Sequence, residues 1–189
     1  MTAASAITLL RGFRARSEVD RTRVGLCRDL IADIRRLNDQ LAANEKHMSQ
    51  ALDEHGTRLR EIDGIGTVTA PRLIGRTGRA SRFPTAAAYA NYNGTAPVQI
   101  ASADTDRHRL SRYGDRQLNS ALYTVAMVQT RMPASAGRAY YDKKIDEGKS
   151  PRAATRSLKR HLSDHVWRTI LADEKRSHRQ REKEPASAA

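Results

Sequence analysis

The chain has 189 residues, with 34 Lys and Arg against 21 Asp and Glu, a net charge of +13 and 39% hydrophobic residues. No run of 18 apolar residues exists, which excludes a membrane-spanning helix, and the lone Cys27 excludes a disulfide scaffold. The positive excess points to an acidic partner, with nucleic acid first and a merely soluble basic protein as the plain alternative.

The excess is uneven. Residues 1–57 are nearly neutral, residues 117–130 carry no charge, and the surplus lies in 58–116 and 131–189. This predicts a neutral N-terminal arm and a basic C-terminal body. The opening stretch, residues 1–17, resembles a targeting peptide slightly but lacks a long apolar core and an Ala-x-Ala cleavage site. It reads as a poorly ordered lead-in, and a cytoplasmic location is the expectation.

Residues 18–57 contain no proline, and Gly25 and Gly56 are the only breakers. Leu30, Ile34, Leu37, Leu41 and Met48 follow at spacings of four, three, four and seven, the stripe of a coiled-coil-like helix. Asn44, Ala51 and His55 make its seam imperfect. A homo-oligomer formed through this arm is the expectation, against the alternative that the stripe packs on its own domain. Cys27 lies on the stripe and reads as a small buried hydrophobe rather than a nucleophile.

A compact helical domain is predicted over 58–174. It begins with Ile62-Asp63-Gly64-Ile65-Gly66, two glycines flanking one apolar residue between two helices, the second expected from Thr67 to Gly75. Ile65 plugs the gap while Gly64 and Gly66 allow the turn and bare the amides that start the second helix, which can hold a phosphate. This resembles a helix-hairpin-helix element; a plain interhelical turn is the other reading. Arg72, Arg76, Arg79 and Arg82 follow as candidate phosphate contacts that position a backbone without reading sequence. A short helix from Thr85 to Tyr92 ends at the stop signal Asn91-Tyr92-Asn93-Gly94.

Residues 94–114 have poor periodicity and read as an irregular loop or a short hairpin. Ser102, Thr105, Ser111 and Tyr113 are possible nucleophiles beside Arg107, Arg109 and Arg112, the pairing that phosphoryl transfer requires and that an ordinary polar loop also shows. Asp104 and Asp106 read as solvated ion partners rather than metal ligands, and His108 lacks ligand spacing. Asp115 then caps an uncharged central helix to about Arg131, on which Tyr123 and Met127 read as core. Helices over 135–147 and from Pro151 to Ala172 follow. On the last one, Leu158, Leu162, Val166 and Ile170 make the buried stripe and Arg152, Arg156, Lys159, Arg160 and Arg168 the wet side. His161 and His165 lack a third metal ligand. Residues 175–189 read as a disordered charged tail.

Four stretches carry a family resemblance: IDGIG (62–66), RFPTAAAYANYNGTAP (82–97), YGDRQLNSALYTVA (113–126) and RAYYDKKIDEGKSPRAATRSLKRHLSDHVWRTI (138–170). Residues from about 58 to 172 resemble the C-terminal transposase domain of the IS110/IS116/IS902 insertion-sequence recombinases, and the arm is similar to that family's linker helix. The resemblance implies DNA as partner, a structured RNA that bridges target and donor DNA, and a serine that attacks DNA after the GLAP-like segment. Here Gly94-Thr95-Ala96-Pro97 precedes Ser102, which is therefore the catalytic candidate. Ala103 stands where glycine is usual, Gly114-Asp115 replaces Gly-Asn, and Asn119 replaces an arginine. The resemblance also implies a RuvC-like N-terminal domain whose acidic residues bind Mg2+. That domain does not fit before the arm, so no metal site is expected within this chain. The expectation is a mainly α, truncated or remnant transposase, inactive alone and contributing Ser102 to strand exchange beside a complete partner. The competing reading is a non-catalytic nucleic-acid-binding and oligomerisation module.

Overall fold

The computed structural model describes residues 3–102, 105–110 and 114–183, with side chains over 4–97 and 114–182. Its order is α1 (Ala3–Gly12), α2 (Glu18–His55), α3 (Thr69–Thr77), α4 (Ala86–Tyr92), β1 (Pro97–Ser102), β2 (Thr105–Leu110), α5 (Arg116–Arg131), α6 (Ala136–Asp146) and α7 (Pro151–Lys183). Short 3-10 turns occupy Leu59–Glu61 and Ala80–Arg82. The fold is mainly α, as the hydrophobic periods predict.

Two compact units divide between Gln50 and Ala51, earlier than the expected boundary after residue 57, because Leu52 on α2 already belongs to the C-terminal core. The N-terminal unit holds α1 and most of α2. The lead-in is partly helical: α1 reads AASAITLLRG, rich in alanine and leucine. On α2, Leu26, Leu30, Ile34, Leu37 and Leu41 are exposed, and so is Cys27, against its expected burial.

In the C-terminal unit, Gly56 ends α2 with φ +66, its amide donating to the Leu52 carbonyl at 3.0 Å. The chain therefore enters the glycine turn through a 3-10 turn rather than a helix. Thr57 donates to the buried Asp173 of α7 (2.8 Å), as does the Arg58 amide (3.1 Å), which pins this entry to the far end of the sequence. Helix α5, uncharged between its terminal arginines, is central, as predicted. Its Leu118, Ala121, Leu122, Val125 and Ala126 pack with Leu73 of α3, Tyr89 of α4 and Leu158, Leu162, Val166 and Ile170 of α7. Tyr123 is not core: it is 49% exposed. Helix caps follow the sequence signals, with Thr85, Asp115 and Ser135 side chains accepting the first amides of α4, α5 and α6.

Segment 94–114 takes the second of its two expected forms, a hairpin. β1 and β2 are antiparallel, in a register that runs from Pro97 opposite Leu110 to Ser102 opposite Thr105. The expected end of the last helix near Ala172 is overturned, since α7 runs on to Lys183. A packed helix already carries the cost of nucleation, so adding residues at its end is cheap even when they are polar.

Candidate nucleic-acid interface

The glycine turn packs on α5. Gly64 has φ +77, and a Cβ there would lie 3.1 Å from Val128 Cγ1, so only glycine fits without displacement. Ile65 is buried, as the plug reading requires. Gln129, itself buried, donates from Nε2 to the Asp63 carbonyl at 2.7 Å and holds the turn down. The Gly66 carbonyl accepts from the Thr69 and Ala70 amides. The amides of Gly66, Thr67 and Val68 have no partner among the described residues, and α3 starts with no side-chain cap. Three free donors at a helix N-terminus can take an anion.

Arg72 and Arg76 lie four apart on α3, both exposed, so they share one helical face leading away from those amides. Arg72 has no side-chain partner among the described residues. Arg76 is engaged: Nη2 lies 2.5 Å and Nε 2.8 Å from Asp115 Oδ2. That hydrogen bond raises the arginine's proton affinity. Burial pushes the Asp115 carboxyl upward, but Arg76 and the Leu118 and Gln117 amides outweigh it and hold it below its ordinary range. Arg79 lies beyond α3 at the start of the next turn. Arg82 lies over two adjoining rings, 4.5 Å from the Phe83 centroid and 4.6 Å from that of Tyr92. The four arginines of this stretch thus do three different things.

The Arg76–Asp115 pair ties α3 to the root of the hairpin. There Gly114, φ +136, brings its Cα so close that a Cβ would sit 2.8 Å from the Gly94 amide nitrogen. Beneath lies a polar network that the sequence reading missed. Asn93 is fully buried; its Nδ2 donates to Ser163 Oγ (2.7 Å) and its Oδ1 accepts from the Thr95 amide and hydroxyl. Asn119 Nδ2 donates to the Asn93 and Gly94 carbonyls, and its Oδ1 accepts from Lys159 Nζ at 2.9 Å. Lys159, expected on the wet side of α7, is only 4% exposed. A signal for it was present: Lys159, Ser163, Val166, Ile170 and Asp173 follow at helical spacing, so two polar residues and an acid share the stripe that carries two core residues.

Burial lowers the Lys159 proton affinity, and the Arg156 charge acts in the same direction. The unfolded chain then keeps a proton where the folded chain has begun to lose it, so this group makes stability rise as pH climbs toward the ordinary lysine value of about 10.4. Lys159→Met is expected to flatten that rise and to cost on the order of 1–3 kcal/mol, because Asn119 Oδ1 is left without its donor. Urea unfolding of both proteins at about pH 7.5 and about pH 9.5 measures this, and a variant keeping the full pH rise contradicts it.

Of the remaining candidates, Ser102 ends β1 and Arg107 and Arg109 lie in β2; their side chains fall outside the described residues, as do Arg112, Asp104, Ser111 and Tyr113 entirely. The glycine turn and the hairpin root are not adjacent. Val128 and Asp115 are separated by nearly the length of α5, about 20 Å, with α3 running between them. Among the described residues no group of three or more His, Cys, Asp or Glu is placed to hold a metal ion. No described helix is long and apolar enough to cross a membrane.

A family profile described as Transposase IS116/IS110/IS902 matches residues 56–142, from the end of α2 through the glycine turn, α3, α4, the hairpin and α5 into α6. Residues 56–142 are those of the IS116/IS110/IS902 transposase family. It is 33% identical over 136 residues to the insertion element IS110 uncharacterized 43.6 kDa protein of Streptomyces coelicolor, a match covering 69% of the chain and 33% of that relative. It is 32% identical over 116 residues to the insertion element IS900 uncharacterized 42 kDa protein of Mycobacterium paratuberculosis, covering 60% of the chain and 29% of the relative. The chain thus spans about a third of the length of these curated relatives. The transposase match includes both ends of the α3 arginine face, the free amides and the hairpin root; Lys159 and Ser163, which underpin that root, lie beyond it.

Proposed function

We propose that this chain is a DNA-handling portion of an IS110-type transposase. In this reading the amides of Gly66–Val68 and the α3 face of Arg72 and Arg76 follow a phosphate backbone, Arg79, Arg82, Arg107, Arg109 and Arg112 add cationic contacts, and Ser102 supplies the nucleophile. Ser102 Oγ attacks a phosphodiester phosphorus, an Oγ–P bond forms, and a deoxyribose oxygen leaves and takes up a proton. The single observation that carries the reading is the root of the Ser102 hairpin: a buried network and an arginine ion pair anchor it to the end of the arginine-bearing helix. A full-length relative acting as partner supplies the magnesium-bound carboxylates, and a structured RNA occupies the same phosphate-binding face. The exposed leucine stripe of α2 joins two copies of the chain.

The test is a denaturing-gel assay for a covalent protein–DNA adduct, with a full-length relative present. Wild type gives an adduct through Ser102. Ser102→Ala, with unchanged circular dichroism, is expected to abolish it, and an undiminished yield overturns the catalytic role. The free amides and the exposed Arg72 also support a second reading, a nucleic-acid-binding module without chemistry. That module binds DNA in a salt-sensitive way that survives Ser102→Ala.

A further inference from the structure

The chain maintains a helix where its sequence offers no apolar face to bury. From Ala172 to Lys183, α7 reads ADEKRSHRQREK, and His178–Glu182 are exposed throughout. The first two acids of this segment are used up in docking. Asp173 is buried on Thr57 and the Arg58 amide, and Glu174 accepts from the Ala80 and Ser81 amides. Glu182 pairs with His178 at 3.2 Å. The side chains of Lys175, Arg179 and Arg181 have no partner among the described residues, so the outward surface is cationic.

A groove lies along each flank of this segment. One, of about 1230 Å³, is lined by Arg79 and Ser81 opposite Lys175, His178 and Arg181; it also holds Glu54 and Glu174, the latter already taken up by the Ala80 and Ser81 amides. The other, of about 460 Å³, is lined by Arg58 opposite Lys175, Arg176 and Arg179; Arg58 and Arg176 pair with the buried Asp173, at 3.8 and 3.0 Å, which leaves Lys175 and Arg179 as its unpaired cations. A polar helix with cations on both flanks is complementary to the major groove of B-form DNA, which is roughly 12 Å wide, admits one α-helix and has phosphates along both walls. The nine residues beyond Glu174, roughly 14 Å long, are sufficient to reach across it. The deep, narrow major groove of an A-form duplex does not admit such a helix.

We propose that the Lys175–Lys183 end of α7 enters the major groove of B-form DNA. Arg79 and Arg181 meet phosphates of one wall, and Arg179 those of the other. This surface is separate from the Ser102 hairpin and holds whether or not the chain performs chemistry.

The experiment uses the full chain and a fluorescent DNA duplex of about 24 base pairs, with affinity followed across a salt series. The triple variant K175Q/R179Q/R181Q is expected to lower the slope of log affinity against log salt by about 2–3 and to weaken binding on the order of a hundredfold near 0.1 M salt. R79Q, across the groove, is expected to lower the slope by about 1. Wild type is expected to protect guanine N7 from methylation, the triple variant to lose that protection, and an RNA duplex of equal length to bind at least about tenfold more weakly. An unchanged slope in both variants, N7 protection that persists in the triple variant, or equal binding to the RNA duplex overturns the proposal. Arg72→Gln tests the α3 face independently, since it leaves α7 intact.

Discussion

Gly114→Ala is expected to destabilise the C-terminal unit by on the order of 3–5 kcal/mol, near the top of the range for a single substitution. Two effects add. The residue sits at φ +136, where a side chain is strained by about 1–3 kcal/mol. Its new Cβ would also stand 2.8 Å from the Gly94 nitrogen and 2.9 Å from the Tyr92 carbonyl oxygen, both backbone atoms that cannot rotate aside. The damage reaches the site because the same Tyr92 carbonyl accepts the Asp115 amide at 2.7 Å. Moving it disturbs the cap of α5, the Arg76 ion pair and the hairpin root together. Urea unfolding should show a lower midpoint with an unchanged m-value, and DNA binding should weaken even where the variant remains folded. A midpoint equal to wild type would show that Gly94 and Gly114 do not make this approach.

Gly137→Ala is expected to cost about 2–4 kcal/mol and to loosen the glycine turn from a distance. A Cβ on Gly137 would fall 1.8 Å from Gln129 Oε1, 2.7 Å from its Cδ and 2.8 Å from its Cβ. The amide end of Gln129 can swing, but its Cβ is fixed to α5, and swinging breaks the 2.7 Å bond to the Asp63 carbonyl. The variant should therefore lose stability and, in the proposed function, phosphate affinity at Gly66–Val68. The double variant Gly137→Ala with Gln129→Ala removes the contacts with Oε1 and Cδ and leaves only the 2.8 Å one with Cβ. It should recover part of the stability while leaving the turn without its tether. If the double variant is no more stable than Gly137→Ala, the clash is not the cause.

How far the site could be read ahead of the fold differs from residue to residue. Gly64 and Ile65 announced a tight turn through spacing alone, and Asp115 announced a helix start. Arg72 and Arg76 were indistinguishable as cations, yet one is free and the other is held by Asp115, a residue thirty-nine positions later. Arg82 gave no hint that it would rest on the joined rings of Phe83 and Tyr92. Lys159 was assigned to water by its charge, although its helical position already matched the buried stripe. Asn93 read as part of a stop signal, and Asn119 only as a replacement for an arginine. Their roles exist only because α4, α5 and α7 meet beneath the hairpin.

What the sequence by itself determined is local and periodic: where helices start, which stripe of each is apolar, that α5 is uncharged between its terminal arginines and central, and that a family pattern runs through the glycine turn and the GTAP segment. These follow from spacing and composition, which act between near neighbours in the chain. The tertiary structure decided which charges are spoken for and which remain for a ligand. It buried Lys159, paired Arg76 with Asp115, carried α7 to Lys183 and set the glycine turn and the hairpin root at opposite ends of α5. The physical reason is that pairing, desolvation and close backbone approach depend on residues distant in sequence, and only packing brings those together.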